Sequence, residues 1–161
     1  MSIEEKTAEQ KQDLIIDENY PGLIKKDWGF EISGSISATG SIIIKLSQWV
    51  LVRKGIEAGG GIEAGGGIEA GWGIKAGEGI KAGEGIKAGG GILAQLAVVA
   101  KNVIQARFKV FAGACVWKET TDAERVIRCA RLAGAVGLGT LIETEAKAES
   151  TTQPTTYTPS V

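Results

Sequence analysis

The stretch GIEAGGGIEAGGGIEAGWGIKAGEGIKAGEGIKAGG, residues 55–90, consists of six near-identical hexapeptides. Each hexad has isoleucine at its second position and alanine at its fourth; the residue between them is glutamate in the first three hexads and lysine in the last three. Apolar residues at i and i+2 around a polar residue have the spacing of a β-strand, whereas a helix requires a period near 3.6. Each hexad therefore predicts a very short strand with its Ile and Ala pointing inward.

The hexad pattern continues beyond this stretch in both directions. Counted from Gly55, the second position stays Ile or Val as far as Val116, and upstream Ile44/Leu46 and Val50/Val52 fill the same two slots. The glycines between strands are expected to form corners, because glycine adopts positive φ without strain. Strands this short cannot bury themselves alone and must stack as repeats. We predict an all-β fold, a three-sided β-solenoid (β-helix) of about five to six coils with short terminal caps.

The reversal of charge within the repeat predicts the length of one coil. With three hexads per coil, every stacked pair is opposite in sign: Glu57 on Lys75, Glu63 on Lys81, with Lys45 extending that ladder, and Glu69 on Lys87. With two hexads per coil, like charges would lie side by side and destabilise the sheet. The charge blocks are also compatible with plain gene duplication, so both explanations of them stay open.

The composition outside the repeat divides the chain into four segments. Residues 1–26 are predicted to be a polar N-terminal leader, for which a short helix and a frayed tail both fit. Residues 27–118 form the predicted solenoid, and residues 119–146 a C-terminal cap or a final coil. Residues 147–161 are rich in Thr and Pro with little that is apolar, which predicts a disordered tail.

Residues 32–118 resemble the left-handed β-helix of hexapeptide-repeat proteins. The enzymes of that family are mostly acyltransferases with a histidine base or carbonic anhydrases with histidine-bound zinc, and this chain contains no histidine. The layout of tail, short solenoid and Pro-containing tail also resembles that of bactofilins, three-sided β-helices that polymerise end to end. The second resemblance implies a protein that self-associates.

The sequence predicts no enzymatic activity and no cofactor. Cys115 and Cys129 fit no metal-ligand spacing and are expected to be small core residues, and the glycines form no phosphate-binding loop. The N-terminus lacks the basic-then-apolar order of a signal peptide, and the longest apolar run, ILAQLAVVA, is too short to cross a bilayer. We therefore expect a cytoplasmic protein of a bacterial or phage-infected cell, with neither a membrane nor a small-molecule substrate as its partner.

The predicted interface lies where outward positions become apolar. Its candidate residues are Trp72, Leu93, Leu96, Val99, Phe108, Phe111 and Trp117. A solenoid rarely leaves such residues in water without a reason. Either the C-terminal segment folds over them, or they contact a partner. Trp72 is expected to be an interface hot spot or to stack on the stem of Lys54, one predicted coil earlier.

Two functions are compatible with these features. The first is a non-catalytic structural or interaction protein, a self-associating scaffold with protein partners, most simply copies of itself. The alternative is a small mobile-element or phage-encoded protein that inhibits a larger nucleic-acid-handling complex, an anti-defence role. The basic residues near the two ends of the repeat suit an acidic or nucleic-acid partner, but a solvated surface is the simpler explanation of them.

Two deletions test the predicted coil length. Removing residues 61–78 deletes one coil of three hexads and returns every later residue to its face, so this variant is expected to fold with its melting temperature little changed. Removing residues 79–84 rotates everything downstream by a third of a turn and is expected to disturb the C-terminal segment, because register sets each strand's partners. Circular dichroism and thermal melting compare the two; a stable one-hexad deletion beside an unfolded three-hexad deletion would contradict the predicted coil.

Overall fold

A computed structural model describes residues 12–144, and within them almost all regular structure is β-strand. The strands are β1 (Leu14–Ile16), β2 (Ile24–Lys26), β3 (Gly29–Ile32), β4 (Ile36–Ala38), β5 (Ile42–Ile44), β6 (Trp49–Val52), β7 (Ile56–Ala58), β8 (Ile62–Ala64), β9 (Ile68–Ala70), β10 (Ile74–Ala76), β11 (Ile80–Ala82), β12 (Ile86–Ala88), β13 (Ile92–Ala94), β14 (Val98–Ala100), β15 (Val103–Ala112), β16 (Val126–Cys129), β17 (Arg131–Leu138) and β18 (Thr140–Glu143). A 3₁₀ turn, Asp122–Arg125, precedes β16. None of the described residues forms a helix long and apolar enough to span a membrane.

The strands wind into a β-solenoid of about six turns with three faces, as the repeat predicts. The first face contains β1, β5, β8, β11, β14, β16 and β18 in that order. The second contains β3, β6, β9 and β12 and the first halves of β15 and β17, and the third contains β4, β7, β10 and β13 and their second halves. Each strand pairs in parallel with the equivalent strand of the next coil; β2 alone among the described strands pairs antiparallel, with β3.

The repeat region keeps the predicted coil of three hexads throughout. On the third face Ile56, Ile74, Ile92 and Val110 stack in one row, and on the first face Ile62 stacks on Ile80 and Ile80 on Val98. The inward Ile and Ala side chains are almost completely buried in one continuous core. Because like stacks on like, each isoleucine fills the same space as the isoleucine of the next coil, which gives the dense packing that protein interiors require.

The coil before the repeat is longer than predicted. Ile42 pairs with Ile62 and Ile36 with Ile56, because the corner between β5 and β6 contains two extra residues. The prediction that Lys45 extends a charge ladder is therefore wrong: Ile43 lies beside Glu63, and Lys45 is in the longer corner. The neighbouring Leu46 is buried and gives this corner a hydrophobic anchor.

The predicted leader, residues 1–26, belongs in part to the solenoid. Its residues 1–11 lie outside the described part, but β1 pairs with β5 and buries Ile16 completely, and β2 covers the edge of β3 as an antiparallel hairpin. Leu14 and Ile16 have the same i, i+2 spacing as the hexads, but the turn that follows them hides the pattern. Glu31 of β3 is only 7% exposed.

Glu31 ties this first coil to the second. Its carboxylate accepts a hydrogen bond from the Arg53 guanidinium and lies 3.6 Å from the Lys26 ammonium. The hydrogen bond from Arg53 lowers the pKa of Glu31 below its usual value, despite the opposing effect of burial. The two cations thus satisfy a buried charge that would otherwise be costly.

The C-terminal segment adds coils to the solenoid. Within the predicted segment 119–146, residues 126–144 contain strands that continue the coil, and residues 119–125 are a loop with the 3₁₀ turn; residues 145–161, with the predicted disordered tail, lie outside the described part. The solenoid does not run unbroken to residue 118, however. Gly113, at φ 87°, directs the chain out of the coil into a loop, so Val116, predicted to point inward, is 86% exposed.

The added coil is shorter than the others. Ile127 pairs with Leu141, so the coil has four residues fewer than one of the repeat, and single residues such as Gly134 replace the three-residue corners. As a result Leu132 and Val136 pack against the core. Cys129 is buried, as predicted, and burial raises the pKa of its thiol to about 12. Cys115 is half-buried in the loop.

The corner glycines are required for a different reason from the one predicted. None of the glycines in residues 55–91 has a positive φ. Instead, the corners of successive coils approach so closely that a Cβ on Gly77 would overlap the carbonyl oxygen of Gly59, and one on Gly89 would overlap that of Gly71. Glycine is needed here because the backbones stack without space for a side chain.

Two glycine substitutions distinguish the destabilisation caused by crowding between coils from the ordinary effect of replacing glycine with alanine. Gly77→Ala is expected to lower the free energy of unfolding by about 1–3 kcal/mol, because the coils must shift to admit the methyl group. Gly55→Ala, whose Cβ would lie 3.6 Å from the nearest atom, the Gly73 oxygen, is expected to be neutral or stabilising by up to about 1 kcal/mol. Urea denaturation measures both; equal losses in the two variants would contradict the stacking argument.

Candidate interaction surfaces

The outward charges at the centre of the solenoid are paired. The Lys75 Nζ lies 3.9 Å from Glu57 Oε2, and the register also places Lys81 beside Glu63 and Lys87 beside Glu69, as the coil of three hexads predicts. Among these pairs, only the first comes within ion-pair distance in the described structure; the Lys87 Nζ lies 5.1 Å from the centroid of the Trp49 ring. Exposed pairs of this kind contribute about 0–1 kcal/mol each, so they favour one register more than they stabilise the fold.

The seven predicted interface residues do not form one surface. Trp72, Phe108 and Trp117 are exposed by 60%, 63% and 55%, whereas Leu93, Leu96, Val99 and Phe111 are partly buried. The C-terminal segment does not fold over this set, since it continues the coil. The residues lie instead on different faces and corners and are considered separately.

Leu93 and Phe111 are neighbours on the third face and line a shallow trough. They pair in register, and the floor and sides of the trough include Gly73, Lys75 and Gly91. The trough has a volume of about 470 Å³ and is open to solvent. The Phe111 ring also packs so closely on the backbone at Gly137 that a Cβ there would overlap it.

Leu96, Val99 and Trp117 lie away from the trough. Leu96 is at the corner between the third and first faces, where its carbonyl oxygen accepts a hydrogen bond of 3.1 Å from the Gly113 N–H. Val99 lies on the first face beside Lys81. Trp117 is in the loop after β15, with the Lys118 ammonium 5.6 Å from its ring centroid.

Trp72 and Phe108 share one corner, between the second and third faces. Trp72 N–H donates to the Lys54 carbonyl oxygen at 3.1 Å, Gly90 N–H to that of Trp72 at 2.8 Å, and Phe108 N–H to that of Gly90 at 3.3 Å. These four residues therefore stack in consecutive coils, and we name this edge, residues 53–55, 71–73, 89–91 and 107–109, the aromatic corner. The Lys54 ammonium lies 5.7 Å from the Trp72 ring centroid, so the predicted contact between these two residues is present.

The aromatic corner contains a bulge at its C-terminal end. Three residues, Ala106 to Phe108, stand against the single Gly134 in the next coil, because Gln105 pairs with Ala133 and Lys109 with Ala135. Phe108 is 63% exposed, much as Trp72 is at the equivalent position two coils earlier. The Arg107 guanidinium lies 5.8 Å from the Phe108 ring centroid, so both ends of the corner contain a cation beside an aromatic ring.

Sequence reasoning missed the role of Trp49. Its ring covers the corner between the first and second faces, where Cβ atoms on Gly67 or Gly85 would crowd it. The signal was available: glycine at the same hexad position in the next two coils, Gly67 and Gly85, leaves space for one large side chain from the coil before. Trp49 is thus a structural cover for glycine, whereas Trp72 covers Gly55 only at its edge and stays exposed.

The C-terminal end of the solenoid is largely apolar; the carboxylate of Glu143 lies there and accepts a hydrogen bond of 2.7 Å from the Leu132 N–H. Residues 132–142 read LAGAVGLGTLI, without a charged side chain, and Leu132, Val136 and Leu141 are only partly buried against the core. The described residues place no strand beyond β17 and β18, so one edge of each lacks a strand partner there. At the opposite end the β2 hairpin, with Lys25, Lys26 and Asp27, covers the edge of β3, whereas β1 and β4 each have one edge without a strand partner among the described residues.

No family model, no curated protein and no solved structure matches this chain. Within residues 12–144 there is likewise no cluster of three His, Cys, Asp or Glu side chains that could hold a metal ion. The surfaces that remain to indicate partners are the aromatic corner, the trough beside it and the apolar end.

Phe111 and Phe108 provide a matched test of which aromatic residues support the fold. Phe111→Glu is expected to lower the free energy of unfolding by about 1–3 kcal/mol, because it places an unpaired charge among partly buried apolar groups. Phe108→Glu is expected to change stability by less than about 0.5 kcal/mol, since the side chain is exposed. Thermal and urea denaturation distinguish them, and an unchanged Phe111→Glu variant would show that the trough does not contribute to stability.

Proposed function

We propose that the protein is a non-catalytic scaffold that self-associates through the C-terminal end of its solenoid. The observation that supports this proposal is the last coil, whose Leu132, Val136 and Leu141 side chains are incompletely covered beside strand edges that have no partner among the described residues. An apolar strand edge of this kind is a template for pairing with another chain. Its burial by a second copy would continue the core across the interface.

The charge distribution favours contact between two C-terminal ends. Across a two-fold axis the same patch of each copy faces the other, so an end with one sign of charge would repel itself. Residues 132–142 contain no charged side chain, and the neighbouring carboxylate of Glu143 is held by a hydrogen bond from the Leu132 N–H. Head-to-tail stacking would instead require the N-terminal end, where the β2 hairpin lies across one face.

The resemblance to bactofilins supports self-association as a function, because those proteins also consist of a three-sided solenoid between tails. The two-fold contact proposed here closes after two copies, so it produces a dimer and not an open filament. Such a dimer presents two aromatic corners at fixed separation, which suits a protein that brings partners together.

Added charge at the two ends tests the proposal. The unmodified protein is expected to show a concentration-dependent monomer–dimer equilibrium in size-exclusion chromatography with light scattering. The double substitution Leu138→Lys/Thr140→Lys, at two exposed positions of the last turn, is expected to shift it to monomer, because like charges face each other across the axis. The control Ser33→Lys/Ser37→Lys adds the same charge at exposed positions near the other end and is expected to leave the dimer intact.

Two results would contradict this proposal. One is a monomer at every concentration for the unmodified chain. The other is a dimer that the N-terminal control disrupts as strongly as the C-terminal variant. Circular dichroism of all three proteins establishes that the substitutions leave the fold intact, so a loss of dimer can be assigned to the interface.

The second candidate function, a phage or mobile-element inhibitor of a nucleic-acid-handling complex, is favoured by the cations of the aromatic corner. Such a protein needs a surface that competes for a polyanion site or binds beside it. Affinity capture from the native host with the unmodified chain, and with Lys54→Glu/Arg107→Glu as the matched control, tests it. The expected result is a nucleic-acid-handling complex that only the unmodified chain retains.

A further inference from the structure

We infer that the aromatic corner binds single-stranded nucleic acid, with a base inserted between Trp72 and Phe108 and the phosphates contacted by Lys54, Arg107 and Lys109. The inference starts from the residues that the fold brings together. The twelve positions of the corner comprise four cations, two aromatic residues, six glycines and no acid: Arg53, Lys54, Gly55, Gly71, Trp72, Gly73, Gly89, Gly90, Gly91, Arg107, Phe108 and Lys109.

The spacing of the two rings suits a flat group. Trp72 and Phe108 are two coils apart, about 9–10 Å along the solenoid axis, and the residue between them is Gly90. Because Gly90 has no side chain, the coil between the two rings places no side chain of its own at that level. A planar base at the level of Gly90 would lie about 4.8 Å from the coil that carries each ring, close enough for offset stacking on both.

The cations lie where phosphates would follow such a base. Lys54 and Arg107 already contact the faces of the two rings, at 5.7 and 5.8 Å from their centroids. Lys109 is exposed beside Phe108. Arg53 is different, because Glu31 neutralises it, which leaves three cations for the ligand.

The neighbouring acids do not cancel this charge. Glu57 pairs with Lys75, and Glu69 lies beside Lys87 in register. At the other two corners, the equivalent coils contain Glu78 and Glu84. The glycines on either side of Trp72 and Gly90 leave a flat floor on which a sugar–phosphate chain can approach the backbone.

These features together favour a single strand over other ligands. Exposed rings flanked by cations are the usual platform for unpaired bases, which stack without regard to sequence. A double helix hides its bases from such rings, and an acidic protein surface would use the cations but offers nothing to fill the slot. The trough of Leu93 and Phe111 beside the corner adds an apolar wall for a neighbouring base.

Fluorescence anisotropy with a labelled oligothymidylate of about 12 nucleotides tests the inference. Trp72→Ala and Phe108→Ala are each expected to weaken binding by roughly 5- to 100-fold, the loss of one stacking contact. Gly90→Leu is expected to do the same while all charges remain, because it fills the slot. Trp117→Ala, which removes an equally exposed tryptophan beside Lys118, is the matched control and is expected to leave binding unchanged.

The salt dependence supplies an independent measurement. Three phosphate contacts predict that the logarithm of the association constant falls by about 2 per tenfold rise in salt, and by about 1.4 in Lys54→Ala. Circular dichroism and melting establish that each variant folds. If Gly90→Leu lowers the stability of the protein, Trp72→Ala still tests the slot, because it removes atoms from the slot and adds none.

Competing ligands establish which class of molecule the aromatic corner binds. The same sequence as a duplex, thymidine monophosphate and polyglutamate are each added in place of the single strand, and weaker binding of all three supports the inference. Equal binding of the duplex or of polyglutamate overturns it in favour of a general anion surface, and equal binding of the mononucleotide overturns it in favour of a nucleotide site. Absence of oligonucleotide binding, or an equal loss in Trp117→Ala, also overturns it.

Discussion

Parallel strand pairing places equivalent residues of successive coils about 4.8 Å apart along all three faces, and every row of the molecule has to be compatible with that distance. Inward rows satisfy it with isoleucine on isoleucine and alanine on alanine, which pack without gaps. Corner rows satisfy it with glycine, because the carbonyl oxygen of one corner occupies the space that a Cβ of the next would need, as at Gly59 and Gly77. Each outward row of the repeat places one glutamate beside one lysine of the next coil, as at Glu57 and Lys75. The hexapeptide thus fits one strand spacing with a different kind of residue at its inward, corner and outward positions.

That spacing explains how much of the fold could be predicted from the sequence alone. From Gly55 to Ala112 each hexad has the environment of the hexad one coil away, so its strand, its inward side chains and its neighbour all follow from one pattern. Outside the repeat the number of residues at a corner is set by individual contacts. Leu46 turns inward and its corner becomes longer, which removes Lys45 from its predicted ladder. Gly113 directs the chain outward and exposes Val116. Neither the longer corner nor the exit of the chain at Gly113 could be predicted from the hexad pattern.

The candidate surfaces likewise divide into contacts that the repeat predicts and contacts that lie outside it. Trp72 and Phe108 occupy the sixth position of their hexads, so the coil of three hexads alone places them in one row with Lys54 and Gly90. Sequence could therefore predict that these residues share an edge, although it did not predict that the intervening glycine leaves a slot. The contact of Phe111 with Gly137 could not be predicted, because it crosses from the repeat to the short last coil, whose register only the structure defines.

The short last coil connects the two surfaces to which function is assigned here. It cannot follow the full outline of the longer coil before it, so it cuts across each corner with a single residue. At the aromatic corner Gly134 stands against three residues of the coil before, beside the exposed Phe108 and its neighbour Arg107. Because this coil is the last one described, its Leu132, Val136 and Leu141 side chains pack against the core from one side only and stay partly exposed. The last coil therefore borders both surfaces for which a function is proposed, the aromatic–cation pair at the rim and the apolar end.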